Sequence, residues 1–299
     1  MNTIVAGTDG RRGRGAASLA QVIASASGAR LLLVGVQDEF PLPIESYGGE
    51  RTALERALRG VRDELAPDAL DQVVVDISPA HALRRVAETE RADLVVVGSR
   101  HHGHVERLTA GDGAMQVLHG APCAVAIAPD HLPPCRALQR IGVGIDDSPE
   151  SAVALAMAIE LARAAGAQLD LLAVASEVYS GSANIVPGAS YADVYPLILE
   201  ARRQMAQTAL ERAIEVCGGL RVSGDARRGD PPAALAALGA RCDLLVLGSR
   251  RWGPVRRLAL GSTSEHVLRL ATCPVLVPPR HAATEHGAAL SAAVAGVVI

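Results

Sequence analysis

An apolar run that ends in glycine and is followed by small hydroxyl residues can hold an anion, and one stretch of this 299-residue chain has that make-up. Residues 243–248 read as a buried strand, and the chain continues as Gly248-Ser249-Arg250-Arg251-Trp252-Gly253, then residues 254–260, then Gly261-Ser262-Thr263. A helix is expected to begin at about Ser262. Unpaired N–H groups and the positive end of the helix dipole at such a start suit phosphate. Glycine lets the backbone approach a ligand closely, and an arginine such as Arg251 can pair with phosphate in bidentate fashion. Simpler readings exist for the same residues. Ser262 with Glu265 fits a Ser-x-x-Glu capping box, and the acids that follow the first strand of each half, Asp9 and Asp146, can serve as helix caps.

Other chemistry is poorly served. No nucleophile stands beside a base in a recognisable pattern, so no catalytic residue is assigned and an enzyme is not expected. His101, His102 and His104 suggest a metal only weakly, because neighbouring histidines on a loop are usually solvated; no metal site is assigned. Arg250, Arg251, Arg256 and Arg257 form a basic group. With aromatics at 2% there is little on which bases can stack, so nucleic acid is not an expected partner. Lysine is absent and all 29 basic residues are arginine, which excludes a P-loop. A net charge of −3 sets up no field that would recruit an anionic surface. No apolar run reaches the roughly 18 residues of a membrane span, and no signal peptide is expected. Five cysteines without metal-ligand spacing read as free thiols in a reducing cytoplasm.

The elements that must position these residues occur twice. Ala92-Asp93-Leu94-Val95-Val96-Val97-Gly98-Ser99-Arg100 returns as Cys242-Asp243-Leu244-Leu245-Val246-Leu247-Gly248-Ser249-Arg250. Gly103 matches Gly253, Arg107 matches Arg257, Gly111 matches Gly261 and Cys123 matches Cys273, each 150 positions apart. One domain is written twice. In the first half, strands are expected at 3–8, 30–36, 72–77, 93–98 and 123–128, and helices at 15–27, 50–65, 80–90 and 112–119. The second half repeats the order, with strands at 140–145, 168–174, 221–226, 243–248 and 274–277 and helices at 151–165, 197–216, 232–238 and 263–270. Runs of Val, Leu and Ile without strict alternation indicate parallel strands buried on both faces. The fold class is therefore α/β, two tandem domains, each a five-stranded parallel sheet flanked by helices. The domains are expected at 1–130 and 139–280, with a tail at 281–299. Asp9 and Asp146 are only 137 positions apart, so the second half carries an insertion, mostly in residues 175–196, which hold three of the four tyrosines. Such a loop suits a lid or a protein partner as well as surface padding.

The fourth strand, the glycine loop and the serine at the helix start resemble the universal stress protein family. Its nucleotide-binding members carry Gly-x2-Gly-x9-Gly-Ser/Thr after the fourth strand and an Asp after the first. Val143-Gly144-Ile145-Asp146-Asp147-Ser148-Pro149 resembles the first-strand signature, with Val5-Ala6-Gly7-Thr8-Asp9-Gly10 as its twin. The resemblance covers about residues 2–129 and 139–280. It implies that Asp146 lies near a nucleotide sugar and that Val174 holds adenine by its backbone. Gly248, Gly261, Ser262 and Thr263 would surround the phosphates. Arg251 stands where the family has its second glycine. In the first half Asp9, Val36, Gly98 and Gly111 remain, while His101 replaces the second glycine and Asp112 the Ser/Thr. A carboxylate at that helix start occupies the dipole end itself and repels phosphate. The resemblance thus implies ATP or another adenine nucleotide as ligand, mainly in the second half, and stress regulation as the role. It also implies pairing of the two last strands within the chain as an intramolecular pseudo-dimer, with further homo-oligomers open. The alternatives are a nucleotide-independent interaction protein with degenerate sites and a slow ATP hydrolase.

Overall fold

Branched apolar side chains fit a pleated surface covered on both faces, so the Val/Leu/Ile runs become strands and the alanine-rich segments between them become the covering helices. The computed structural model describes residues 1–38, 44–99, 112–129, 137–177, 191–249 and 261–279. The first half runs β1 (Thr3–Gly7), α1 (Arg14–Ser27), β2 (Arg30–Asp38), α2 (Ile44–Leu65), β3 (Leu70–Asp76), α3 (Pro79–Thr89), β4 (Leu94–Gly98), α4 (Asp112–Gly120) and β5 (Ala124–Ala128). The second half runs β6 (Arg140–Ile145), α5 (Pro149–Ala165), β7 (Gln168–Ser176), α6 (Tyr191–Val216), β8 (Val222–Gly229), α7 (Pro231–Gly239), β9 (Leu244–Val246), α8 (Ser262–Leu270) and β10 (Val275–Val277).

The five parallel strands expected in each half are joined into one ten-stranded sheet of order β3-β2-β1-β4-β5-β10-β9-β6-β7-β8. Among the described residues its only antiparallel pair is the seam, where Val275, Leu276 and Val277 of β10 face Ile127, Ala126 and Val125 of β5. One face is covered by α1, α2, α5 and α6, with Leu19, Ile23, Leu58, Leu161 and Leu210 buried against the strands. The other is covered by α3, α4, α7 and α8 through Leu83, Leu118, Leu238 and Leu268. Both apolar layers continue across the seam, so the halves share their cores. Within each half the chain starts in the middle of its five strands, moves one way and then crosses to the other side. This places a topological switch at the β1/β4 boundary and another at the β6/β9 boundary, where open α/β sheets leave a crevice.

Local hydrogen bonds are duplicated as well. Asp93 Oδ2 accepts from Asn2 and Thr3 N–H (2.5 and 3.1 Å), and Asp243 Oδ2 accepts from Gln139 and Arg140 N–H (2.8 Å each). Some boundaries differ from those expected. Helix α6 begins at Tyr191 rather than 197 and contains Pro196, and α2 begins at Ile44 rather than 50. Pro196 is the sixth residue of α6, past the first turn, and the helix runs through it at the cost of an intrahelical hydrogen bond. The linker residues 130–136, most of the inserted loop (178–190) and the tail from 280 lie outside the described residues.

Candidate functional site

At the end of β6 the chain turns on Asp146. Its Oδ1 accepts the Ser148 N–H at 3.0 Å and the Ser148 hydroxyl. Ser148 Oγ in turn accepts the Ser151 N–H at 3.1 Å and caps α5, with Pro149 at the first helical position. Asp146 is therefore not the cap; it shapes the turn and stays exposed at the strand end. Asp147 points outward and pairs with Arg212 of α6 at 3.2 Å. Glu150, buried in the first turn of α5, leaves its Oε2 without a hydrogen-bond partner. The positive end of the helix offsets part of that charge.

Helix α8 starts differently. Its N-cap is Gly261, extended at φ −75° and ψ 158°, and no side chain caps the first turn. The capping box anticipated for Ser262 and Glu265 does not form. Ser262 is already helical, the Glu265 N–H bonds the Gly261 carbonyl at 2.9 Å, and the Glu265 carboxylate turns toward Arg269 at 2.8 Å. Among the described residues, no side-chain acceptor caps the first-turn N–H groups of α8, which border a cleft.

That cleft has a volume of about 620 Å³ and lies at the β6/β9 switch point. Leu172, Val174, Pro231, Leu235 and Leu247 make an apolar wall. Asp146, Gly248, Gly261, Ser262 and Thr263 make the opposite, polar end, joined by the hydroxyl residues Ser148, Ser151, Ser249 and Ser264. Among the described lining residues Asp146 carries the only ionisable side chain. The strand-end glycines fit this geometry. A Cβ on Gly248 would lie 3.0 Å from the Glu150 carbonyl carbon and oxygen, so α5 packs on bare strand backbone. A Cβ on Gly144 would lie 3.0 Å from Leu235, as one on Gly7 would lie 2.9 Å from Leu83, so the leucine floor is the same in both halves.

Of the residues singled out from sequence, Asp146, Val174, Gly248, Gly261, Ser262 and Thr263 all meet in this one cleft. Arg251 and the first-half Gly111 lie outside the described residues, as do His101, His102 and His104. Asp9, Val36 and Gly98 sit at the matching ends of β1, β2 and β4. The loop after β1 is folded on itself: Asp9 Oδ1 accepts from Arg11 and Arg12 N–H (2.9 and 2.6 Å), and the Thr8 hydroxyl donates to the Arg12 carbonyl at 2.6 Å. Asp9 is not a cap either, since α1 starts after Gly13, in a left-handed conformation (φ 78°). Sequence reasoning missed Ser148, Ser151, Ser264 and the leucine floor. Ser148-Pro149 carried a usable signal as a cap followed by proline; the other two serines carried none.

Of the described thiols, Cys123, Cys217 and Cys273 are buried and Cys242 is half-buried. Burial pushes Cys123, Cys242 and Cys273 up to about 12 and Cys217 to about 11, which keeps them protonated. Among the described residues no three His, Cys, Asp or Glu side chains converge on a metal-sized site, and no helix is long and apolar enough to cross a membrane.

Fold and cleft together define a class: a duplicated, doubly wound α/β protein with a ligand-sized crevice at a strand switch point. The universal stress protein family model matches residues 1–129 and 137–279, and the chain belongs to that family. A universal stress protein of Thermus aquaticus is 33% identical over 138 residues, covering 42% of this chain and 98% of its own. One from Mycolicibacterium smegmatis is 29% identical over 231 residues, 76% of each chain. The crystal structure of a universal stress protein from Archaeoglobus fulgidus matches with a TM-score of 0.65 over 93% of this chain and 98% of that one, at 21% identity, which speaks for the fold.

Proposed function

We propose that the second half binds an adenine nucleotide, ATP in the first instance, and that the protein acts as a nucleotide-responsive regulator in the cytoplasm rather than as an enzyme. The observation that carries this reading is the start of α8, uncapped among the described residues, beside a cleft with an apolar wall at its other side. A base fits against Leu172, Val174 and Leu235, with the Val174 backbone as its hydrogen-bonding edge. Asp146 reaches the sugar, and the Gly248, Gly261, Ser262 and Thr263 backbone surrounds the phosphates, with Arg251 as their counter-charge. The cleft hydroxyls whose bonds are known are engaged: Ser148 donates to Asp146, and Ser151 and Ser264 to backbone carbonyls. None is poised as a nucleophile, which favours binding over turnover. In the first half an acid, Asp112, at the start of α4 argues against a second equal site.

The test is to denature freshly purified protein, analyse the supernatant for nucleotide, and titrate stripped protein with ATP. Ser262→Asp copies the first half and is expected to weaken ATP at least tenfold through charge repulsion at the helix start. Unchanged affinity in this variant would remove the helix-terminus basis of the proposal.

A further inference from the structure

Two buried serines do the same thing on neighbouring strands of the second half. Ser264, in the first turn of α8, donates its hydroxyl to the Gly248 carbonyl at the end of β9 at 2.9 Å. Ser151, in the first turn of α5, donates to the Gly144 carbonyl at the end of β6 at 3.3 Å and accepts the Asp146 N–H at 3.0 Å. Both line the cleft, and their residues are only 7% and 5% exposed. Helix starts are thereby fastened to strand ends on both sides of the β6/β9 switch point.

Neither serine has a hydroxyl counterpart at the matching position of the first half. The position matching Ser264 at the 150-residue offset is Ala114, which has no hydroxyl. The glycine caps that end α1 and α5 (Gly28 and Gly166) are 138 positions apart, so Ser151 corresponds to Gly13. There α1 begins with its bare cap packed on the Gly7 carbonyl so closely that a side chain would clash. Helix α5, with 17 residues against 14 in α1, extends further at its start, and that added turn carries Ser151.

We infer that Ser151 and Ser264 are positioning residues that hold the second cleft in its ligand-accepting geometry, and that their absence is part of what separates the two halves. Each acts through backbone. Ser264 fixes the α8 N–H groups relative to Gly248, at the phosphate end; Ser151 fixes the Gly144–Asp146 turn, at the sugar end. This inference rests on the proposed nucleotide site, and the two can fail separately.

The experiment is titration of wild type, Ser264→Ala, Ser264→Thr and Ser151→Ala with ATP and with adenosine, with thermal unfolding of each as a folding control. Ser264→Ala is expected to weaken ATP about five- to tenfold, the effect of one lost hydrogen bond, and to leave adenosine unchanged. Ser264→Thr, which keeps the hydroxyl, is expected to restore ATP affinity. Ser151→Ala is expected to weaken both ligands by about the same factor. A wild type that binds neither ligand would overturn the nucleotide reading and this role with it. A wild type that binds, with alanine variants that bind equally well or lose both ligands in step with stability, would overturn the positioning role alone.

Discussion

Gly248 shows how much a single residue carries. It lies two residues past β9 and lines the cleft, and its missing side chain is the space in which α5 packs: an added Cβ would meet the Glu150 carbonyl group at 3.0 Å and the Ser151 nitrogen at 3.1 Å. Those are backbone atoms, which cannot swing aside. Gly248→Ala is therefore expected to destabilise the protein by about 1–3 kcal/mol through overpacking and to weaken ATP, since Ser151 is displaced with the helix. Chemical denaturation and titration of the same variant check both; an unperturbed midpoint would show that the helix moves freely. Gly248 was legible in the sequence because the two halves repeat it at a fixed spacing with Gly98. Ser264 was not. Its task is defined by a carbonyl sixteen residues away, brought near only by folding. The reverse happened with Ser262 and Glu265, whose spacing fits a capping box although the helix starts at Ser262 itself and the acid turns toward Arg269. A local pattern records which groups can meet, and the tertiary position of the helix start decides whether they do.

At the scale of elements, the strands were the most legible part because apolar runs such as Leu94–Val97 and Leu244–Leu247 leave no other use for so many branched side chains in a row. Helix ends were less so. A helix was expected from residue 197, yet α6 starts at Tyr191 and runs through Pro196. The seam is the element-level feature on which the whole arrangement depends. Three residues of β10 face three of β5, and Ala126 pairs with Leu276 on one side and Val96 on the other. Ala126→Pro removes a donor from a fully buried central strand and is expected to cost about 3 kcal/mol or more. Because both apolar layers cross the seam, the loss is expected to lower one shared unfolding transition rather than free one half. Differential scanning calorimetry is the check; wild type that melts in two well-separated transitions would show that the halves are held together only loosely.

For the whole molecule, the duplication implies two sites and the details imply one. Both halves keep the strand order, the aspartate after the first strand, the glycine after the fourth and the leucine floor. Among the described residues, the second half has a cleft of about 620 Å³ at the start of α8, whose N-cap is a glycine, and two serine fastenings beside it. The first half has a self-bonded loop after β1 and begins α4 with an acid. Tandem α/β organisation was readable from the repeat alone. That the two five-stranded sheets become one of ten was implied only by family resemblance, because a strand that pairs with its own sheet and one that pairs with another chain half carry the same residues. The most direct measurement is the stoichiometry of ATP binding to the intact, nucleotide-free chain by titration calorimetry. One ATP per chain is expected, abolished or strongly weakened by Ser262→Asp. Two equivalent sites, or no binding heat at any temperature tried, would contradict the account.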